Sequence, residues 1–123
     1  PKKFIEQGDP YVEELQQTIT ALEERIGRRG RLCFQSRSGP EEWLEPGTPE
    51  MLRQLAEEGW KNILMVPIAF VSDHIETLYE IDMLYREQAA GLGMRLGSIR
   101  GLNDDPQFIR ALRTLVLRAR AIE

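Results

Sequence analysis

Residues 62–82, NILMVPIAFVSDHIETLYEID, decide how this chain is read. Asn62 to Phe70 is the most strand-like run in the sequence, apolar and rich in aliphatic residues. It stops at a polar corner. Just beyond lie Asp73, the single histidine His74, Glu76 and Glu80, in a segment that reads as a helix to about Gly91. Open α/β sheets hold their ligands at the carboxyl ends of strands. One imidazole grouped with several carboxylates suits metal handling or proton transfer.

Working outward, the same alternation recurs. Gly8-Asp9-Pro10 reads as a helix start, with Asp9 as N-cap and Pro10 at the first helical position. Val12, Leu15, Ile19, Leu22 and Ile26 follow at helical spacing, and Gly27 and Gly30 bracket the exit. Arg31 to Arg37 is a short strand-like run, and Ser38 to Thr48 is a loop broken by Gly39-Pro40, Pro46 and Gly47. Thr48 is read as the N-cap of a helix reaching about Glu58, with Met51, Leu52 and Leu55 on its apolar face. After the third helix, which holds Ile75, Leu78, Ile81, Met83, Leu84 and Tyr85, Met94 to Ile99 is a weak strand. A last helix starts at Asn103 or Asp104 and presents Phe108, Leu112, Leu115 and Val116.

The resulting α-β-α-β-α-β-α order predicts an α/β fold, a three-layer sandwich around a parallel, Rossmann-like sheet. Its strands are expected at Leu32–Ser36, Ile63–Phe70 and roughly Arg95–Ile99. Such a sheet normally opens with a strand, but here a helix comes first. The first strand of the domain is therefore expected upstream of Pro1, and its absence leaves an open position in the sheet. A start at Pro1 also suggests a processed chain or an excerpt of a longer one.

Length and composition bound the class. With 123 residues the chain reads as one domain, residues 1–123. It is 41% hydrophobic and 29% charged, as a soluble globular protein should be. A net charge of −4 and a pI of about 5.2 argue against a general nucleic-acid grip. Cys33 is the only cysteine, so no internal disulfide and no zinc-finger set can form. A reducing, cytoplasmic location fits. No apolar stretch reaches membrane-spanning length. The arginine clusters Arg28, Arg29, Arg31 and Arg110, Arg113, Arg118, Arg120 are solvated helix faces by default. Contact with a membrane surface, at its inner face, is the minority reading.

Each candidate has a plainer alternative. Asp73, Glu76 and Glu80 fall at i, i+3 and i+7, hence on one helix face, yet Ser72 or Asp73 can simply be an N-cap followed by acids that the helix dipole favours. Position supports a site, because the cluster sits where a strand ends. Gln35-Ser36-Arg37 ends the other strand-like run and leads into the loop holding Trp43. In a parallel sheet both ends share one rim, so Gln35, Ser36, Trp43, His74 and Glu76 are expected to face one cleft. Trp43 is either a plug over the core or an apolar wall for a flat ligand. Cys33 reads as a small buried apolar residue.

At these residues the chain resembles the ferrochelatase family, enzymes that insert ferrous iron into a porphyrin to make haem. GDPY (Gly8–Tyr11), the FQS-x-x-GP-x-x-WL-x-P pattern (Phe34–Pro46), NIL-x-VPIAF (Asn62–Phe70) and SDHIETLYEID (Ser72–Asp82) resemble family blocks in the family's order and spacing. Leu102-Asn103 with Pro106 and Phe108 resembles the block before the family's final helix. The resemblance spans nearly the whole chain.

It implies the carboxyl-terminal of two Rossmann-like domains, beginning at the proline that closes the family's S-x-H-x-x-P motif. The histidine of that motif and the amino-terminal domain would lie before Pro1. Glu76 is then the iron-site and proton-handling residue, facing that histidine across the porphyrin. His74 and Glu80 are its polar supports and metal-site partners, and Gln35, Ser36, Trp43 and Phe70 contact the porphyrin. Leu84 stands where many members carry a further acid. Ferrous iron is a substrate, no permanent cofactor is implied, and no cysteine set for an iron–sulfur cluster follows the last helix. The porphyrin is protoporphyrin or coproporphyrin. The partners are porphyrin, ferrous iron and the absent amino-terminal domain, with self-association expected of the fragment and no activity from it alone. The alternatives are a stand-alone metal- or tetrapyrrole-binding module of the same fold, or another class II-type chelatase acting on cobalt or nickel.

Overall fold

The computed structural model describes residues 1–121, apart from the side chain of Glu76. The elements are α1 (Lys2–Glu6), α2 (Tyr11–Ile26), α3 (Thr48–Glu57), β1 (Asn62–Met65), α4 (Ile75–Tyr79), a π-helical segment (Glu80–Tyr85), α5 (Arg86–Gly91), β2 (Arg95–Ser98) and α6 (Pro106–Arg120). β1 and β2 run parallel, with Asn62 opposite Arg95 and Met65 opposite Ser98, and make a two-stranded sheet. The mixed α/β class and the parallel pairing match the sequence reading. α1 has no counterpart in it.

The expected strand at Leu32–Ser36 does not form. Phe34 takes its backbone hydrogen bonds from the following loop instead. Its N–H donates to Pro46 at 2.9 Å, its carbonyl accepts from the Thr48 N–H at 3.0 Å, and one parallel bridge joins it to Gly47. The expected strand Ile63–Phe70 is also cut short, to Asn62–Met65. The last bond beyond the register is from the Ile99 N–H to the Met65 carbonyl, at 3.2 Å. Pro67, which has no N–H, lies just past it.

The helix ends are set by short-range chemistry. Gly27 closes α2 in the left-handed region at φ 64°, where a glycine carries no Cβ penalty. The Asp9 carboxylate accepts from the Tyr11 N–H at 2.9 Å, with Pro10 between them at the N-cap position. Thr48 is not a cap. Gly47 holds that position, and the Thr48 hydroxyl donates to the Phe34 carbonyl at 3.3 Å. The cap of α6 is Asp105 rather than Asn103 or Asp104. Its carboxylate accepts from the Gln107 and Phe108 amides at 2.8 and 3.3 Å.

One core is built from Leu52, Ile81, Tyr85, Ala89, Met94 and Leu96, with Ile63, Met65 and Leu55 packed at its edge. It lies between one face of the sheet, α3 and the helical run from Ile75 to Gly91. Within that run the buried positions are Thr77, Ile81, Tyr85 and Ala89, each four residues from the next. In a regular α-helix, steps of four precess by about 40° each, so such a stripe would wind off the core. The wider turn of the π segment takes up the excess and keeps the stripe on one side. Ile75, Leu78, Met83 and Leu84, read from sequence as part of the helix's apolar set, are exposed.

Among the described residues the opposite face of the sheet has no helical layer. Leu64 is 65% exposed there, and no residue of α6 is buried. The described residues thus form a helical layer on one face of a small sheet. The sheet-and-two-layers sandwich expected from the sequence is not present in them.

Candidate functional site

Beyond β1 the chain runs through Pro67–His74 into α4. The Phe70 ring stacks on the His74 imidazole, with centroids 5.5 Å apart and planes 11° from parallel. The His74 carbonyl accepts from the Leu78 N–H at 2.9 Å and so opens the first turn. Asp73 is neither a cap nor a member of a shared acidic face, because it lies before the helix. Its carboxylate accepts from the Gly101 N–H at 2.8 Å and from the Asn103 amide at 3.0 Å. The Gly101 amide, then Asn103, hold that carboxyl below the usual range. Glu76 belongs to α4, and its side chain lies outside the described residues.

Glu80 opens the π segment. The Ser36 hydroxyl donates to its Oε2 at 2.7 Å and the Tyr85 hydroxyl to the same oxygen at 3.3 Å. Ser36 sits in the left-handed region at φ 59°, uncommon for a residue with a Cβ and found where surroundings hold it. Tyr85 is only 3% exposed. Burial, and next the negative charge of Glu80, push its phenol up to about 12. It therefore stays a neutral donor to the carboxylate at ordinary pH.

Gln35, Ser36 and Trp43 line one cleft of about 300 Å³, walled on the other side by Phe4 of α1 and by Tyr11. The Trp43 indole N–H is buried there with no hydrogen-bond partner among the described residues. The structure thus brings Gln35, Ser36 and Trp43 together and ties Glu80 to them through Ser36. His74, with Phe70, stands apart on the exposed loop and does not line this cleft, contrary to the single shared cleft expected from the strand ends. The reason is that the Leu32–Ser36 segment pairs with its own loop, not with β1. Among the described residues no group of three His, Cys, Asp or Glu side chains could hold a metal ion.

Cys33 is half-buried, 3.7 Å from the Thr48 hydroxyl, and burial pushes its thiol up. Sequence reasoning missed Tyr85 as a partner of Glu80 and Phe4 as a cleft wall. The signal for Tyr85 was present as the strict four-residue spacing from Thr77. Phe4 precedes the first helix start that the sequence marks and carries no such signal.

A parallel α/β unit with an imidazole beyond the end of β1, and a separate aromatic-walled cleft tied through Ser36 to the Glu80 carboxylate, carries groups that suit proton handling. The chain belongs to the ferrochelatase family, which it matches over residues 1–120. It is 67% identical over 119 residues to the ferrochelatase of Desulfotalea psychrophila, covering 97% of this chain and 37% of that protein. To the ferrochelatase of Geotalea uraniireducens it is 51% identical over 118 residues, covering 94% and 37%. To that of Trichormus variabilis it is 43% identical over 123 residues, covering 97% and 32%. The chain spans about a third of the length of the curated relatives it matches.

Proposed function

We propose that the full-length protein inserts ferrous iron into a porphyrin, protoporphyrin or coproporphyrin, and that these residues form its carboxyl-terminal domain. The family match over residues 1–120 carries this reading. Insertion replaces two pyrrole protons with the metal, so the site must accept protons near neutral pH and take over iron from water stepwise. Imidazole and carboxylate groups do both without trapping the metal as thiolates would. In this reading Glu76 receives protons and contacts the iron, His74 supports it, and Glu80 continues the acidic path. Ser36 and Tyr85 hold Glu80, while Gln35, Ser36, Trp43 and Phe70 contact the macrocycle. With one cysteine, these residues cannot ligate an iron–sulfur cluster by themselves.

The other half of the porphyrin site belongs, in this reading, to an amino-terminal domain. A strand from outside these residues completes a Rossmann-like sheet between the Leu32–Ser36 segment and β1, since doubly wound sheets often place their first strand between the second and third. Among the described residues no helix is long and apolar enough to cross a membrane. We place the enzyme in the cytoplasm, with the exposed basic and apolar faces available for contact at the inner membrane surface.

The test is haem absorbance after mixing the full-length protein, ferrous iron and porphyrin. Glu76→Gln should nearly abolish insertion and leave the fold intact, because an amide gives neither the charge nor the proton acceptor. Near-normal rates from a well-folded Glu76→Gln enzyme would rule out this role, and a parent protein without insertion would overturn the reading.

A further inference from the structure

We propose that Asn103 is a positioning residue for metal insertion, clasping with Gly101 and Asp73 the loop that opens the helix of His74 and Glu76. The inference rests on the function proposed above. Two loops distant in sequence meet here. The Asn103 N–H donates to the Val71 carbonyl at 2.8 Å. The Asp73 N–H donates to the Asn103 side-chain oxygen at 2.8 Å, and the Asn103 amide nitrogen returns a bond to Asp73 Oδ2 at 3.0 Å. Asp73 Oδ1 accepts from the Gly101 N–H at 2.8 Å, and Asn103 also braces its own turn through the Gly101 carbonyl at 3.2 Å.

The residue types suit the geometry. Asn103 sits at φ 46°, a region that asparagine tolerates better than most residues with a side chain. Gly101 leaves room that no other residue could. A Cβ there would lie 2.8 Å from the Asp73 nitrogen and from the Ser72 carbonyl carbon. Both carboxylate oxygens of Asp73 are engaged, so this acid, next to His74 in sequence, acts as a fastener and not as a metal ligand.

The function follows from where the clasp sits. β1 ends at Met65, and nine residues lie between it and α4. A loop of that length does not by itself fix the first turn of the helix. The clasp pins it between Val71 and Asp73, immediately before His74 and three residues before Glu76. It ties that turn to the chain leaving β2. Reacting groups displaced by about 1 Å can lose on the order of a hundredfold in rate, even when the altered residue is remote from the chemistry.

Chemistry allows a reciprocal test in the full-length enzyme. Asp73→Asn removes the acceptor for the Asn103 amide, and Asn103→Asp sets two carboxylates face to face. The double exchange restores the 73–103 pair, because an amide at 73 donates to a carboxylate at 103 that still accepts the residue 73 N–H. It gives up the bond from residue 103 to the Gly101 carbonyl, so recovery is partial. The amide oxygen at 73 still accepts from Gly101. Each single variant should lower kcat for iron insertion by about tenfold or more while leaving the porphyrin KM near the parent value. The double variant should recover toward the parent rate. Amide hydrogen exchange across Ile75–Tyr79 should speed up in the single variants and slow again in the double.

Single variants with parent kcat would overturn the proposal. So would a double variant as slow as the singles, since the bond between residues 73 and 103 would then not be what positions the loop. A parent enzyme that inserts no iron fails the preceding reading instead. Hydrogen exchange alone then decides the clasp: unchanged protection in the single variants overturns it, and loss with recovery in the double upholds it.

Discussion

Replacing Tyr85 with phenylalanine isolates one link between the core and the candidate site. The ring stays in place among Leu52, Ile81 and Ala89, so no cavity opens. What disappears is the hydroxyl that donates to Glu80 Oε2 at 3.3 Å. A hydrogen bond to a charged group contributes about 1.5–3 kcal/mol, and at this length, with the Ser36 bond remaining, we expect a loss near the lower end, about 1.5 kcal/mol. The pH dependence gives a second signature. The folded phenol stands at about 12, above its ordinary value of 10.0. A pKa raised by folding means stability that is fully present below pH 10 and lost as pH rises toward 12. The advantage of parent over Tyr85→Phe should therefore be constant to about pH 10 and shrink above it.

Denaturant unfolding at neutral and alkaline pH measures both effects. Ultraviolet titration of tyrosinate should lose a component near 12 in the variant. Because Ser36 donates to the same oxygen, a double-mutant cycle with Ser36→Ala should be non-additive, by about 0.5 kcal/mol or more. A Tyr85→Phe protein with parent stability at neutral pH, and an unchanged difference at alkaline pH, would refute the reasoning.

Two further outcomes follow from the packing. Leu52 is 1% exposed at the centre of the core, so Leu52→Ala should cost about 2–5 kcal/mol in denaturant unfolding, while Leu64→Ala on the open sheet face should cost far less. Residues 1–123 produced alone should associate with rising concentration in sedimentation experiments and give haem no faster than a no-protein control. Leu64 on the sheet face, Val66 just past the end of β1, and Leu112, Leu115 and Val116 along α6 are all exposed, and apolar surface of this kind recruits partners.

The sequence was most legible where local chemistry decides. Asp9, Gly27 and the acids and prolines at helix starts mark ends to within a residue or two, because caps and left-handed glycines act over a few bonds. The β1–β2 pair was legible because Ile63, Met65 and Leu96 have a helix to pack against. Leu32–Ser36 was not. Its apolar character is that of a strand, but whether it pairs depends on a neighbour at the right distance. In the described residues the nearest backbone is its own loop at Pro46 and Thr48. Asp73 was misread for a related reason. As an acid before a helix it looks like a cap, and only the fold brings Gly101 and Asn103, some thirty residues on, to its carboxylate.

The π segment joins the two levels. Thr77, Ile81, Tyr85 and Ala89 stay on the core only if the helix widens, so burial of this stripe favours the irregular turn. The same widening has a consequence at the site. In a regular α-helix a residue five positions along points about 140° away, too far round to share a hydrogen bond. In a turn closed by i→i+5 bonds it returns to nearly the same side. That is the relation between Glu80 and Tyr85, whose hydroxyl reaches the carboxylate. The core residue and the polar residue are thus held in contact by one backbone irregularity. Straightening that turn would unseat Tyr85 from the core and release Glu80 from one of its two donors in the same step.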